Sequence, residues 1–145
     1  MTSHGTASGL PGALRTITAP AVGAGTNPVI TVPANTRWRL LGGLIVLSTS
    51  AAVANRTPVL VASASGMLSA GTRVAPVVAN TVADYTYFTP GQSVAEFNTS
   101  VGYFDPMPPP ILLQAADSIY CDITNLQGGD QVNGLAVYVE EWIDP

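Results

Sequence analysis

The sequence contains no lysine, one cysteine and one histidine in 145 residues, and only 10% of its side chains are charged. Each shortage removes a class of function. With Cys121 alone, an intramolecular disulfide and a cysteine-based metal cluster are both excluded. With His4 as the one imidazole, placed in a Gly/Ser/Thr/Ala-rich stretch, a serine or cysteine triad would have to draw its base from the least structured part of the chain. No G-x-S-x-G elbow, phosphate-binding glycine loop or calcium-binding acidic loop is present. The acids Asp84, Glu96, Asp105, Asp117, Asp122 and Asp130 are scattered and mostly flank turns, where Asp caps backbone groups. They form no evident carboxylate pair of the kind that cleaves glycosides. The expectation is a protein that is not an enzyme, with no cofactor and no metal.

Five arginines and nine acids leave a formal net charge of −4, with no basic run, so no nucleic-acid partner is expected. The longest apolar stretch, Leu40 to Leu47, is strand-sized and interrupted by two glycines, so no membrane partner is expected either. Met1 to Gly12 lacks the basic end and apolar stretch of a signal peptide, which points to synthesis in the cytoplasm. For the same reason Asn98-Thr99-Ser100 is read as a chance match to a glycosylation acceptor.

What the chain does have is apolar residues, 47% of the total. A domain of this length buries about 68–70% of its unfolded surface and needs no staple. So much apolar surface with so little charge implies that part of the exterior is covered by a partner, because large open apolar patches aggregate. A homo-oligomer or larger assembly is expected; the alternative is a monomer with a surface rich in Thr, Ser, Asn and Gly.

Residues 1–12 have the composition of an extended arm, suited to lying across a neighbour, and residues 13–145 read as a single β-sandwich domain. The expected strands are Leu14 to Ala19, Pro28 to Val32, Thr36 to Thr49, Thr57 to Ala64, Gly71 to Val78, Val82 to Phe88, Gln92 to Asn98, Ile111 to Leu113, Asp117 to Asn125 and Val132 to Ile143. In the long third strand Trp38 and Leu40 share one face, Arg37 and Arg39 the other, and farther on both faces are apolar, implying burial on both sides. Gly42 and Gly43 suggest a bulge or a close backbone approach there. Ile119, Cys121 and Ile123 alternate inward, as do Leu135, Val137 and Val139, leaving Tyr138, Glu140 and Trp142 as an outward stripe. Gln127-Gly128-Gly129-Asp130 reads as a hairpin turn, Thr89-Pro90-Gly91 as a turn, and Thr99 to Pro110, with its four prolines, as a long loop. No helix is expected, because β-branched residues abound while Lys is absent and Glu scarce. The fold class is all-β: an antiparallel β-sandwich, jelly-roll-like.

Two groups of residues are candidates for a protein interface. Tyr85 and Tyr87 share one side of a strand, and Tyr103, Phe104 and Met107 lie in the proline-stiffened loop. These residue types are enriched at interface cores, and a stiff loop loses little entropy on docking; the alternative is that the rings fold back to cap the sandwich's own core. Arg37 and Arg39 share a face that could meet Glu140, next to Trp142, if their strands are neighbours. Tyr85, Tyr87 or Trp142 could otherwise serve as a sugar platform in a carbohydrate-binding module.

Two blocks carry a resemblance. One runs Val32-Pro33-Ala34-Asn35-Thr36-Arg37-Trp38-Arg39-Leu40-Leu41 and continues through Ala51-Ala52-Val53-Ala54-Asn55-Arg56-Thr57-Pro58. The other is Leu126-Gln127-Gly128-Gly129-Asp130-Gln131-Val132-Asn133, ending in Val137-Tyr138-Val139-Glu140-Glu141-Trp142. Together they resemble small β-sandwich structural proteins of tailed bacteriophages. The resemblance implies a virion component, foremost a head decoration (cement) protein. Such a protein would sit on the capsid surface, as a homo-oligomer with a trimer favoured, and clamp neighbouring subunits of the major capsid protein. A tail, fibre, spike or vertex component, one that could bind a receptor or glycan, is the alternative within the same class.

Overall fold

The computed structural model describes residues 11–70, 76–88, 101–106 and 111–144, with the backbone alone described for 88 and 101–106. Among the described residues ten strands follow one another: β1 (Ala13–Thr18), β2 (Val29–Thr31), β3 (Thr36–Ser48), β4 (Thr57–Ala64), β5 (Met67–Ala70), β6 (Val82–Phe88), β7 (Val101–Pro106), β8 (Leu112–Leu113), β9 (Ser118–Thr124) and β10 (Gln131–Ile143). Among the described residues there is no helix. One sheet runs β1-β10-β3-β6-β7, with β8 beside the start of β3; the other runs β2-β9-β4-β5. The chain is an all-β sandwich.

The pairing is nested. β1 pairs with β10, β2 with β9, β3 with β6 and β4 with β5, all antiparallel, as though one long hairpin had been folded over on itself. The two members of each pair sit in one sheet, and successive pairs alternate between sheets. The inward faces then meet in one core, built from Trp38, Leu40, Ile45 and Leu47 of β3, Leu60 and Ala62 of β4, Ile119, Cys121 and Ile123 of β9, and Leu135, Val137 and Val139 of β10. Inward alternation in β9 and β10 is as the sequence pattern predicts. Asn35, at φ 56, turns the chain into β3 in the left-handed region that Asn tolerates.

Trp38 and Leu40 point inward at even positions, whereas Ile45 and Leu47 do so at odd ones. A β-bulge reconciles them: Tyr138 faces Gly42 and Val139 faces Leu40, so Leu41 is the extra residue that flips the alternation. Past the bulge, Gly43 faces the opposite sheet so closely that a Cβ there would lie 2.8 Å from Leu60 Cδ2. The glycine pair therefore sits at both a bulge and a close approach.

Several expectations are corrected. The second half of β3 is not buried on both sides: Leu44 is exposed and Val46 half-buried on the outer face. The Thr99 to Pro110 stretch includes a strand, β7, which pairs parallel with β6, so the sandwich is not purely antiparallel. Its prolines hid a strand that lies at a sheet edge, where Pro106 is tolerated as the last residue. β5, which no expected strand covers, follows β4 directly through a tight turn with Ser65 and Gly66 at positive φ. The turn through Gln127 to Asp130 is real, with Asp130 N–H donating to Gln127 O at 2.9 Å, but it carries the chain from one sheet to the other and joins no hairpin. Of Gly71 to Val78, Val77 forms an isolated bridge with Arg56, and 71–75 lie outside the described residues. The Gln92 to Asn98 strand, the turn at 89–91, the glycosylation match and residues 1–10 of the arm also lie outside them.

Candidate functional site: the outer face of the larger sheet

Strand registry sorts the candidates by face. Ala83, Tyr85 and Tyr87 oppose Leu47, Ile45 and Gly43 and so point into the sandwich. Tyr85 and Tyr87 are 0% and 1% exposed, and the Tyr87 hydroxyl donates to Pro58 O at 3.3 Å. Both belong to the core, a correction to their reading as interface or sugar-stacking rings. Tyr103 and Phe104 lie in β7, level with Tyr85 and Thr86, and Met107 lies outside the described residues.

The other group does come together. In the register of β10 with β3, Glu140 opposes Arg39 and Trp142 opposes Arg37, all on the outer face. Arg39 pairs with Glu140, and its guanidinium stands 6.0 Å over the Trp142 ring, within cation–π range. Arg37 pairs with Asp144 at 2.9 Å. Glu140 also accepts from Gly12 N–H at 2.9 Å, which fastens the start of β1. A Cβ on Gly12 would meet Glu140 Cγ at 2.5 Å, so only glycine fits. The neighbouring Glu141 faces inward and accepts from Trp38 Nε1 at 2.8 Å and Arg15 Nη1 at 3.0 Å. The two consecutive glutamates thus hold β1 and β3 from opposite sides of one strand.

Beyond this charged end the outer face turns apolar, which the sequence reading missed. Leu14 (62% exposed), Tyr138 (38%), Leu44 (37%) and Val82 (39%) stand on four adjacent strands, and Leu112 (46%) beside Arg39 extends them. Between them lie Gly42, Gly134, Ala136 and Val46, which keep the surface low. The signal was the doubly apolar stretch of β3, which marks either burial or an open apolar surface.

On the same face Asp84 lies opposite Val46. It is buried, and among the described residues its Oδ1 is the one buried side-chain polar atom with no hydrogen-bond partner. An unsatisfied buried acceptor costs about 1–3 kcal/mol. Asp84→Val, close in size and suited to a strand, is expected to raise the melting temperature by several degrees. A fall in differential scanning calorimetry would mean that the carboxylate is in use.

The remaining chemistry is structural. Asp117 accepts from Gln114 N–H at 2.7 Å and Ser65 N–H at 3.0 Å, the turn-capping role its position suggested. The Cys121 thiol is buried, and burial pushes it up to about 12, so it carries almost no thiolate at neutral pH. Among the described residues no three His, Cys, Asp or Glu side chains are placed to hold a metal ion, and no helix is long and apolar enough to cross a membrane.

Comparison with protein families, curated proteins and solved structures finds no match to this chain.

Proposed function

We propose that this protein is a structural subunit of a virion, foremost a decoration protein that binds the outside of the capsid and stabilises contacts between major capsid subunits. The observation that carries the assembly part of this reading is the apolar half of the larger sheet's outer face, on a chain with only 10% charged residues. Apolar residues spread over four adjacent strands are a surface made to be covered. The virion setting rests on the resemblance of the two sequence blocks to phage structural proteins. The nested order, β1-β10-β3-β6 against β2-β9-β4-β5, supports the jelly-roll reading, with β7 and β8 as additions.

The mechanism requires no chemistry. A subunit that bridges neighbours adds buried area at each junction of a shell under internal pressure, and many modest contacts stabilise it collectively. Quantitative mass spectrometry of purified particles, normalised to the major capsid protein, tests the proposal. Copies comparable to the capsid protein are expected. A handful per particle would move the protein to the tail or a vertex, and absence from particles would end the virion reading.

A further inference from the structure

We infer that the apolar outer face of the larger sheet packs against the same face of a second copy of this chain, about a two-fold axis. The inference rests on the reading of the protein as an assembly subunit and names the partner of that face. Three observations select a second copy.

The first is charge. Every described charged side chain at the edge of the patch is already answered within the chain: Arg39 by Glu140 and Arg37 by Asp144. The apolar part, Leu14, Tyr138, Leu44, Val46 and Val82, presents no exposed ion: Asp84, the one carboxylate among them, opposite Val46, is buried within its own chain and is not offered to a partner. A partner with a strongly charged surface would find no complement here.

The second is size. Four strands about 4.8 Å apart and about eight residues long at about 3.3 Å each give a sheet face of about 500 Å² per copy, with Thr16, Thr18 and Thr86 among the apolar residues. Doubled, that is about 1,000 Å², the lower bound for a specific interface before the charged rim contributes.

The third is shape. Gly42, Gly134 and Ala136 lower the middle of the face, and Tyr138 and Leu44 rise beside them. A two-fold contact brings projecting residues of each copy over the low ground of the other, as a self-complementary patch requires. The ion pairs with Trp142 then form the polar rim that surrounds an interface core.

Sedimentation velocity on the purified full chain tests this without any phage particle. The wild-type protein is expected to run as a dimer. Leu44→Glu places two carboxylates in the contact and is expected to weaken dimerisation about 100-fold or more. Thr16→Arg should act likewise: it changes an exposed residue beside Tyr138 and removes no core contact. Val53→Glu, on a loop away from the sheet, should change nothing. Unchanged circular dichroism and melting of the Thr16→Arg variant separate a lost contact from a lost fold. A wild-type mass other than a dimer's, or a dimer that withstands both Leu44→Glu and Thr16→Arg, overturns the inference. Either result leaves the particle copy-number test standing by itself.

Discussion

Replacing Arg56 with alanine is expected to cost about 3–5 kcal/mol, the largest loss from any charged side chain described here. Arg56 and Asp130 are both fully buried, with Nε to Oδ2 at 2.8 Å and Nη2 to Oδ1 at 2.9 Å, a two-pronged contact. The third nitrogen donates to Ala54 O at 2.7 Å. Asp130 in turn accepts from Ser50 N–H and Gln127 N–H, each at 2.8 Å. One ion pair therefore holds the loop after β3, the start of β4 and the crossing between the sheets. Removing the cation leaves a buried carboxylate unpaired, the costly case. At about 2–4 °C per kcal/mol for a domain of this size, melting should fall by about 6–20 °C. Arg56→Lys should not restore it, because a point charge cannot make both prongs.

Burial alone would push the Asp130 carboxyl up, but the Arg56 guanidinium and the donors from Ser50 and Gln127 outweigh it and hold the group down at about 2. A carboxylate lowered in the folded state contributes stability that is complete above its unfolded value near 3.8. That contribution is lost as pH falls from there towards 2. Urea titrations across this window should show it declining in the wild type and already missing in Arg56→Ala.

Trp38→Ala is the second large effect, about 3–5 kcal/mol. The ring is buried on the inner face of β3, near its start, and its Nε1 is bonded to Glu141. Truncation leaves a large cavity and removes one of the donors to a buried carboxylate. Trp38→Phe separates the two causes. It retains most of the volume and should lose about 1.5–3 kcal/mol, the worth of a hydrogen bond to a charged group. Chemical denaturation of both variants checks the split, and equal losses would show that the bond, not the volume, dominates.

The parts of this fold that were legible in the sequence are those where a single strand carries its own signal. Alternation in β9 and β10 identified the inward residues, and Arg37, Arg39 and Glu140 were recognised as possible cross-strand partners because each sat at a fixed parity. What escaped depended on neighbours. Tyr85 and Tyr87 share a face, but nothing local says which face; only the register with Gly43 and Ile45 turns them inward. The open apolar patch escaped for the same reason. An outward Leu44 and an inward Ile45 look alike until the facing sheet is in place. Glu141 and Arg15 lie about 126 positions apart, and their pairing is a property of the nested order.

That order also decides when the protein can fold. β10, the last strand in sequence, lies between β1 and β3. Until residues 131–143 leave the ribosome, the larger sheet has a gap between β1 and β3, each left with an open edge. Folding by such distant pairings is slow, on the order of milliseconds to seconds, and unpaired edges invite association in the meantime. Residues 131–143 act as the keystone of the sandwich, and a chain that lacked them would have two flanking strands and nothing to join them.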